Sequence, residues 1–365
     1  MESMTTFQPN WTIPPGATVL DLLRERGKGV EELAQATHKD ITSVSRLLFG
    51  VEPLTADWAQ SLAQVLGASP AFWLRREERY RADLQRLCEL PAEENTATWL
   101  DDLPLRDMIR YGWVQQGQST RETALNVCAF FGVTNAESYK KKYQSLLSSA
   151  AYRSSVTYAP RPSAIAAWLR QGEIAAGAID CMPWSDVALR DSLDAIRALT
   201  REPDPARFIP ELQSIFARCG VAIVVARAPE GCRASGATRF LDNNKAVVQL
   251  SFRYLSDDQF WFTVFHEVGH ILLHAHEDLY LEGLEDRNSK AELEADDFAI
   301  KTLFAKVGVD ALDRGIQSKF QIARLARKAG VSPGIVVGRL QDKGLIPYKH
   351  FNFMKARYAW SEGHH

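Results

Sequence analysis

Phe260-Trp261-Phe262-Thr263-Val264-Phe265-His266-Glu267-Val268-Gly269-His270-Ile271-Leu272-Leu273-His274 is an apolar run interrupted by ionisable side chains, and it predicts a largely buried helix. Histidines four apart on a helix lie one turn above each other, so His266 and His270 can reach a single ion. Glu267 projects from the same face, close enough to polarise a water held by that ion. Such a cluster inside so apolar a helix is costly without a partner, and a zinc ion (Zn2+) supplies one.

A further ligand is expected downstream, in Glu292-Leu293-Glu294-Ala295-Asp296-Asp297-Phe298-Ala299. Three protein ligands and one open position make the arrangement that a catalytic zinc needs. Glu292 and Asp296 are also four apart and face the same way on a helix. Glu292 can then bind the ion while Asp296 accepts a hydrogen bond from the far nitrogen of a ligand histidine, fixing its tautomer. Glu294, two residues from Glu292, points elsewhere and is the poorer ligand candidate.

These two stretches together resemble the ImmA/IrrE family of metallopeptidases, in which a HExxH helix is followed by an ExxA(N/D)xFA helix. The apolar strands Gly220-Val221-Ala222-Ile223-Val224-Val225 and Ala246-Val247-Val248-Gln249-Leu250 are similar to the hairpin-like segment that precedes them. The resemblance covers roughly residues 190–300. It implies His266, His270 and Glu292 as zinc ligands, Glu267 as general base and peptide hydrolysis as the reaction. Two other readings of the same residues stay open: a hydrogen-bonded buried pair without metal, and a metal site without catalysis. His274 and His276 read as rim residues, because a further ligand would fill the open position. Tyr254 and Tyr280 are the candidates for an additional electrophile.

With 46% apolar and 24% charged residues in 365, the composition is that of a globular protein with room for two or three domains. No apolar run approaches the roughly twenty residues of a membrane span, and no secretory leader is expected at the amino terminus. Cys88, Cys128, Cys181, Cys219 and Cys232 are scattered and form no CxxC pair, which predicts a cytoplasmic location. His364 and His365 are set aside as a possible tag remnant. A net charge of −2 gives no global attraction to nucleic acid or anionic lipid.

The fold class expected is mainly α with a small antiparallel β-sheet (α+β). Four regions are predicted: helical 17–90, a helical middle region 91–190, a zinc domain 191–305 and a C-terminal helical region 306–360. Between Thr18 and Leu87 short helices alternate with tight connections, with Asp40 and Thr55 as N-caps and Gly50 as a stop. Val30 to Thr37, Ser43 to Gly50, Leu54 to Ala59 and Leu62 to Leu74 resemble the Cro/repressor-type (XRE) helix-turn-helix of HigA-like antitoxins. That resemblance implies a third helix in the major groove of double-stranded DNA, with Lys39, Thr42, Ser43, Ser45 and Arg46 as contacts. Acidic and basic residues balance here, so DNA affinity calls for a homodimer; a protein-docking module without DNA contact is the alternative.

Lys140-Lys141-Lys142 reads as a solvated helix face. Strands are expected at Val221–Ala226, Ala237–Phe240 and Ala246–Tyr254, and helices at Ser318–Ala329 and Pro333–Gly344. The whole predicts a zinc-dependent endopeptidase coupled to a DNA-binding domain, whose substrate, by the resemblance, is a repressor-type regulator. The competing expectations are a regulator whose zinc domain senses a ligand and cuts nothing, and an antitoxin-like binding module.

Overall fold

Three side-chain caps set the rhythm of the first five helices. Asp40 accepts from Ser43 N at 2.9 Å, Thr55 from Trp58 N at 3.4 Å and Ser69 from Phe72 N at 3.2 Å, each satisfying a backbone donor that a helix start leaves open. The computed structural model describes residues 12–88, 93–144, 161–242, 244–274, 280–281, 289–313, 315–316 and 318–360. His276, the polar stretch 145–155, the break at Tyr158-Ala159-Pro160, His364 and His365 lie outside the described residues, as does the side chain of Tyr280.

The chain divides into two units. The first comprises Met1–Asp180 with Pro229–Gly231 and, as described, is helical: α1 (Pro15–Glu25), α2 (Val30–Thr37), α3 (Ile41–Leu48), α4 (Ala56–Leu66), α5 (Pro70–Leu87), α6 (Glu93–Asp102), α7 (Leu105–Arg110), α8 (Thr120–Phe131), α9 (Ala136–Lys142) and α10 (Pro162–Gly177). Val19, Leu33, Val44, Leu47, Trp58, Leu62 and Trp73 form the core of α1–α5. Helices from the middle region pack onto these five rather than standing apart: α8 lies against α5, and α10 against α3. Asp180, just beyond α10, accepts from the amides of Val30 and Glu31 at 3.0 and 2.9 Å. It thereby caps α2, whose own N-cap residue, Gly29, has no side chain to do so.

The second unit, Cys181–Ala228 with Cys232–His364, holds α11 (Asp186–Leu199), α12 (Pro205–Ala217), β1 (Val221–Val225), β2 (Gly236–Asp242), β3 (Lys245–Leu250), α13 (Asp257–Leu273), β4 (Tyr280–Leu281), α14 (Lys290–Leu303), α15 (Lys319–Ala329) and α16 (Pro333–Asp342), with short 3-10 turns at Val309–Asp313 and Asn352–Met354. Its sheet is mixed, in the order β1-β3-β2-β4. β2 and β3 form the expected antiparallel pair, with Thr238 opposite Val248. β1 runs parallel to β3, with Val221 opposite Ala246 and Val225 opposite Leu250, which corrects the expected all-antiparallel sheet. Four consecutive buried residues, Val221 to Val224, mark a strand covered on both faces, as parallel strands are.

α13 crosses this sheet and is enclosed by α14 and α16. Trp261, Val264, Phe265, Val268 and Ile271 are all buried in one core with Phe208, Phe216 and Leu340. Each such side chain contributes roughly 1.5–3 kcal/mol on leaving water, which fixes the helix before any site chemistry is considered. Two arginines of α11 serve the ends of the site helices. Arg190 donates to Leu272 O at the end of α13, and buried Arg197 donates to Thr302 O at the end of α14. Both offset the negative pole of a helix C-terminus. Among the described residues no helix is long and apolar enough to cross a membrane.

Candidate metal centre

His266 and His270 sit one turn apart on α13, with ring centroids 4.6 Å apart and their Nε2 atoms 3.0 Å apart. Glu292 enters from the first turn of α14, where Ser289 caps the helix by accepting from the Glu292 amide at 3.3 Å. Its carboxylate oxygens lie 3.5 Å from His266 Nε2 and 3.3 Å from His270 Nε2. The helices approach this closely because small residues meet at their crossing. A Cβ on Gly269 would stand 3.0 Å from Ala295 Cα, so only glycine there leaves the backbones where they are.

The donor set fits a metal ion. Two imidazoles and a carboxylate, all buried, offer ligand atoms within 4.8 Å of one another. A tetrahedral ion with ligand bonds of about 2.0–2.1 Å has donor-to-donor edges of about 3.3 Å, and the three separations, 3.0, 3.3 and 3.5 Å, cluster around that value. Burial alone pushes the Glu292 carboxyl up, but the facing His266 and His270 rings outweigh it and hold the group down at about 2. Burial pushes the His270 ring down, and Glu292 only partly opposes this. An ionised carboxylate facing two imidazoles in an enclosed site is a donor set that a cation can use.

Around these three residues stands an outer layer. His266 Nδ1 meets Asp296 Oδ1 at 2.8 Å, the partner expected from the Glu292/Asp296 spacing. Glu294 does point away from the cluster: it meets His274 Nε2 at 3.0 Å, and His274 Nδ1 in turn lies 3.3 Å from His270 Nδ1. Glu267 is fully buried, and Thr238 Oγ1 on β2 donates to its Oε2 at 2.5 Å. β2 can come this near because position 236 is glycine; a Cβ there would fall 2.2 Å from Glu267 Oε1. Sequence reasoning missed Thr238 and Gly236, since nothing in a strand of alternating residues shows which helix will cover it. A cleft of about 270 Å³ opens beside the cluster, lined by His266, Glu292, Asp296, Phe262, Arg339 and Tyr254 among others. Tyr254 is half exposed at its edge.

The expected DNA contacts are placed differently. Lys39 pairs with Asp57 and lies over the Trp58 ring. Thr42 is exposed, and Ser43 lies at the start of α3 with its amide capped by Asp40. Ser45 is buried and donates to Ile174 O on α10, and Arg46 donates to the carbonyls of Gly112 and Trp113 at 2.7 and 3.4 Å. These two side chains are committed to the interior of the first unit. The reason is readable on a helical wheel: Ser45 stands four after Ile41 and three before Leu48, on the face that α10 covers.

Residues 222–341 match the IrrE N-terminal-like domain, a peptidase family. No curated protein matches the chain. The match starts in β1 and ends in α16, so it contains the whole cluster and both helices that carry it. It begins later and reaches further than the resemblance at 190–300, taking in α15 and α16, of which α16 packs on α13.

Proposed function

We propose that the chain is a zinc-dependent endopeptidase, with His266, His270 and Glu292 holding the ion and Glu267 as general base. The observation that carries this reading is the convergence of those three donors at tetrahedral-edge spacing, with the Glu267 carboxylate following His266 on the same helix. Zinc bound there supplies Lewis-acid polarisation and water of pKa about 7. Glu267 accepts the proton of the attacking water as its oxygen bonds to the carbonyl carbon. It then returns that proton to the amine nitrogen as the C–N bond breaks. Thr238 donates to one oxygen of Glu267 and so fixes the carboxylate in one rotamer. Asp296 keeps the His266 ring in the tautomer whose Nε2 carries a lone pair. The apolar wall of Phe262, Ile300 and Phe304 suits an extended peptide.

The substrate we propose is a protein, a repressor-type transcriptional regulator, on the strength of the family resemblance and the match at 222–341. Five free cysteines favour a cytoplasmic setting. Glu267→Gln keeps the ligands and removes the base, so zinc binding is expected to persist while cleavage of a candidate regulator falls by 100-fold or more. Equal cleavage by both proteins would sink the catalytic reading.

For the N-terminal helices, the engagement of Ser45 and Arg46 favours protein docking over the alternative, binding of double-stranded DNA by a homodimer. Operator binding measured against salt separates the two. A steep salt slope that Lys39→Ala reduces would support DNA contact, and its absence supports docking.

A further inference from the structure

His270 carries an outer hydrogen-bonded chain that differs from the one on His266. From the far side of its ring, Nδ1 lies 3.3 Å from His274 Nδ1, with the two rings 5.4 Å apart. His274 Nε2 lies 3.0 Å from Glu294 Oε2, and Glu294 Oε1 is 3.5 Å from Lys290 Nζ. Side-chain exposure rises along the chain, from 0% at His270 through 12% at His274 to 44% at Glu294.

We propose that His274 and Glu294 are positioning residues for the metal centre, a two-step relay that holds His270 in its ligand tautomer and orientation. The proposal rests on the reading of His266, His270 and Glu292 as metal ligands. With an ion held by His266, His270 and Glu292, one assignment satisfies these contacts together. His270 Nε2 faces His266 Nε2 and a Glu292 oxygen, and must offer a lone pair to a shared ion. Its proton therefore sits on Nδ1 and is donated to His274 Nδ1. That makes Nδ1 of His274 the acceptor, so its own proton is on Nε2 and is donated to Glu294. Each nitrogen has one role, and the chain ends on a carboxylate that can carry the charge. His266 needs only one step because Asp296, one turn after Glu292 on α14, reaches its Nδ1 directly. The His270 ring lies one turn further along α13, and His274, a further turn on, bridges the gap to α14.

His274 is thereby set apart from a fourth ligand. The nitrogen nearest the cluster faces the back of His270, and His274 is not part of the group of converging donors. The front of the centre is left to the cleft.

The test is zinc affinity of the full chain, measured by competition with a chromophoric chelator. A second readout is the visible spectrum of the cobalt-substituted protein. His274→Phe keeps a planar ring but removes the relay, and is expected to weaken zinc binding 10–100-fold. His274→Gln can accept from His270 through its amide oxygen and donate to Glu294 through its amide nitrogen, and should restore affinity to within a few-fold. The cobalt spectrum should keep its band positions in both, because the ligand set is unchanged. Undiminished affinity in His274→Phe overturns the proposal, as does equal loss in the two variants, which would make shape rather than hydrogen bonding the cause. A shift of the cobalt bands on losing His274 would make it a ligand and overturn the proposal in another way. Failure of the relay leaves cleavage by the wild-type protein intact, whereas failure of the metallopeptidase reading shows as Glu267-independent cleavage.

Discussion

For the proposed role of Glu267 as general base, the carboxylate must be close to water yet held in one rotamer, and Glu267 owes the second condition to Thr238. The hydroxyl donates to Oε2 from a strand 29 residues upstream. Thr238→Val keeps the β-branched shape and removes the donor. We expect kcat to fall by roughly 10-fold or more with KM and zinc content little changed, since a general base contributes about 100-fold or more when well placed. A loss confined to KM would show that Thr238 shapes the cleft and does not position the base. At this scale two pairs were legible, His266 with His270 and Glu292 with Asp296, because four residues bring side chains to one helix face; that the pairs meet was implied by the family resemblance. Thr238 was not legible, because its role depends on which strand lies beneath α13. Ser45 was misassigned, although its place between Ile41 and Leu48 shows it on the buried face.

Helices α13 and α14 work as one element, and their separation is set at Gly269 and Ala295. Ala295 lies one turn beyond Glu292, so any widening there carries the carboxylate away from the histidines. Gly269→Val is expected to cost about 1–3 kcal/mol through overpacking, read as a lower urea midpoint, and to weaken zinc binding at least 10-fold. Unchanged affinity in a destabilised protein would mean that the crossing sets stability and not the ligand spacing. Helix boundaries were well anticipated where a cap and a stop coincide: α3 starts after the Asp40 cap and ends short of Gly50, whose left-handed conformation (φ of +72°) turns the chain away. Strand direction was not anticipated, since β1 reads equally well in either sense until β3 pairs with it.

Across the whole second unit, the C-terminal segment returns to the start of the site helix. Asp257 N donates to Ala356 O, Tyr358 N to Leu255 O, and Lys355 pairs with buried Asp258 at 2.6 Å. Ser332, the cap of α16, donates to Asp257 Oδ2 at 2.7 Å. Burial pushes the Asp257 carboxyl up, with Asp258 adding to the effect and the Ser332 hydrogen bond only partly opposing it, to about 6. Between about pH 4 and 6 the folded protein keeps a proton that the unfolded chain has released. Stability therefore falls as pH rises through that window and stays lower above it, by about 3 kcal/mol for a shift of roughly two pKa units. Asp257→Asn removes the titration, so the drop in urea stability between pH 4.5 and 7 should shrink by about 2 kcal/mol, the part of the window above pH 4.5. An unaltered slope would place the pH dependence elsewhere.

Local sequence by itself determined the caps, the buried helix around His266, and the pairing of His266 with His270 and of Glu292 with Asp296 on single helix faces, because all of these depend on contacts within one or two turns. Tertiary structure decided the meeting of Glu292 with the two histidines, the parallel pairing of β1, the support of Glu267 by Thr238, and the capping of α2 by Asp180 from 150 residues away. Those outcomes rest on which distant surfaces meet. A side chain's partner across such a contact is chosen by the packing of whole elements, and that choice leaves no short-range periodicity to read.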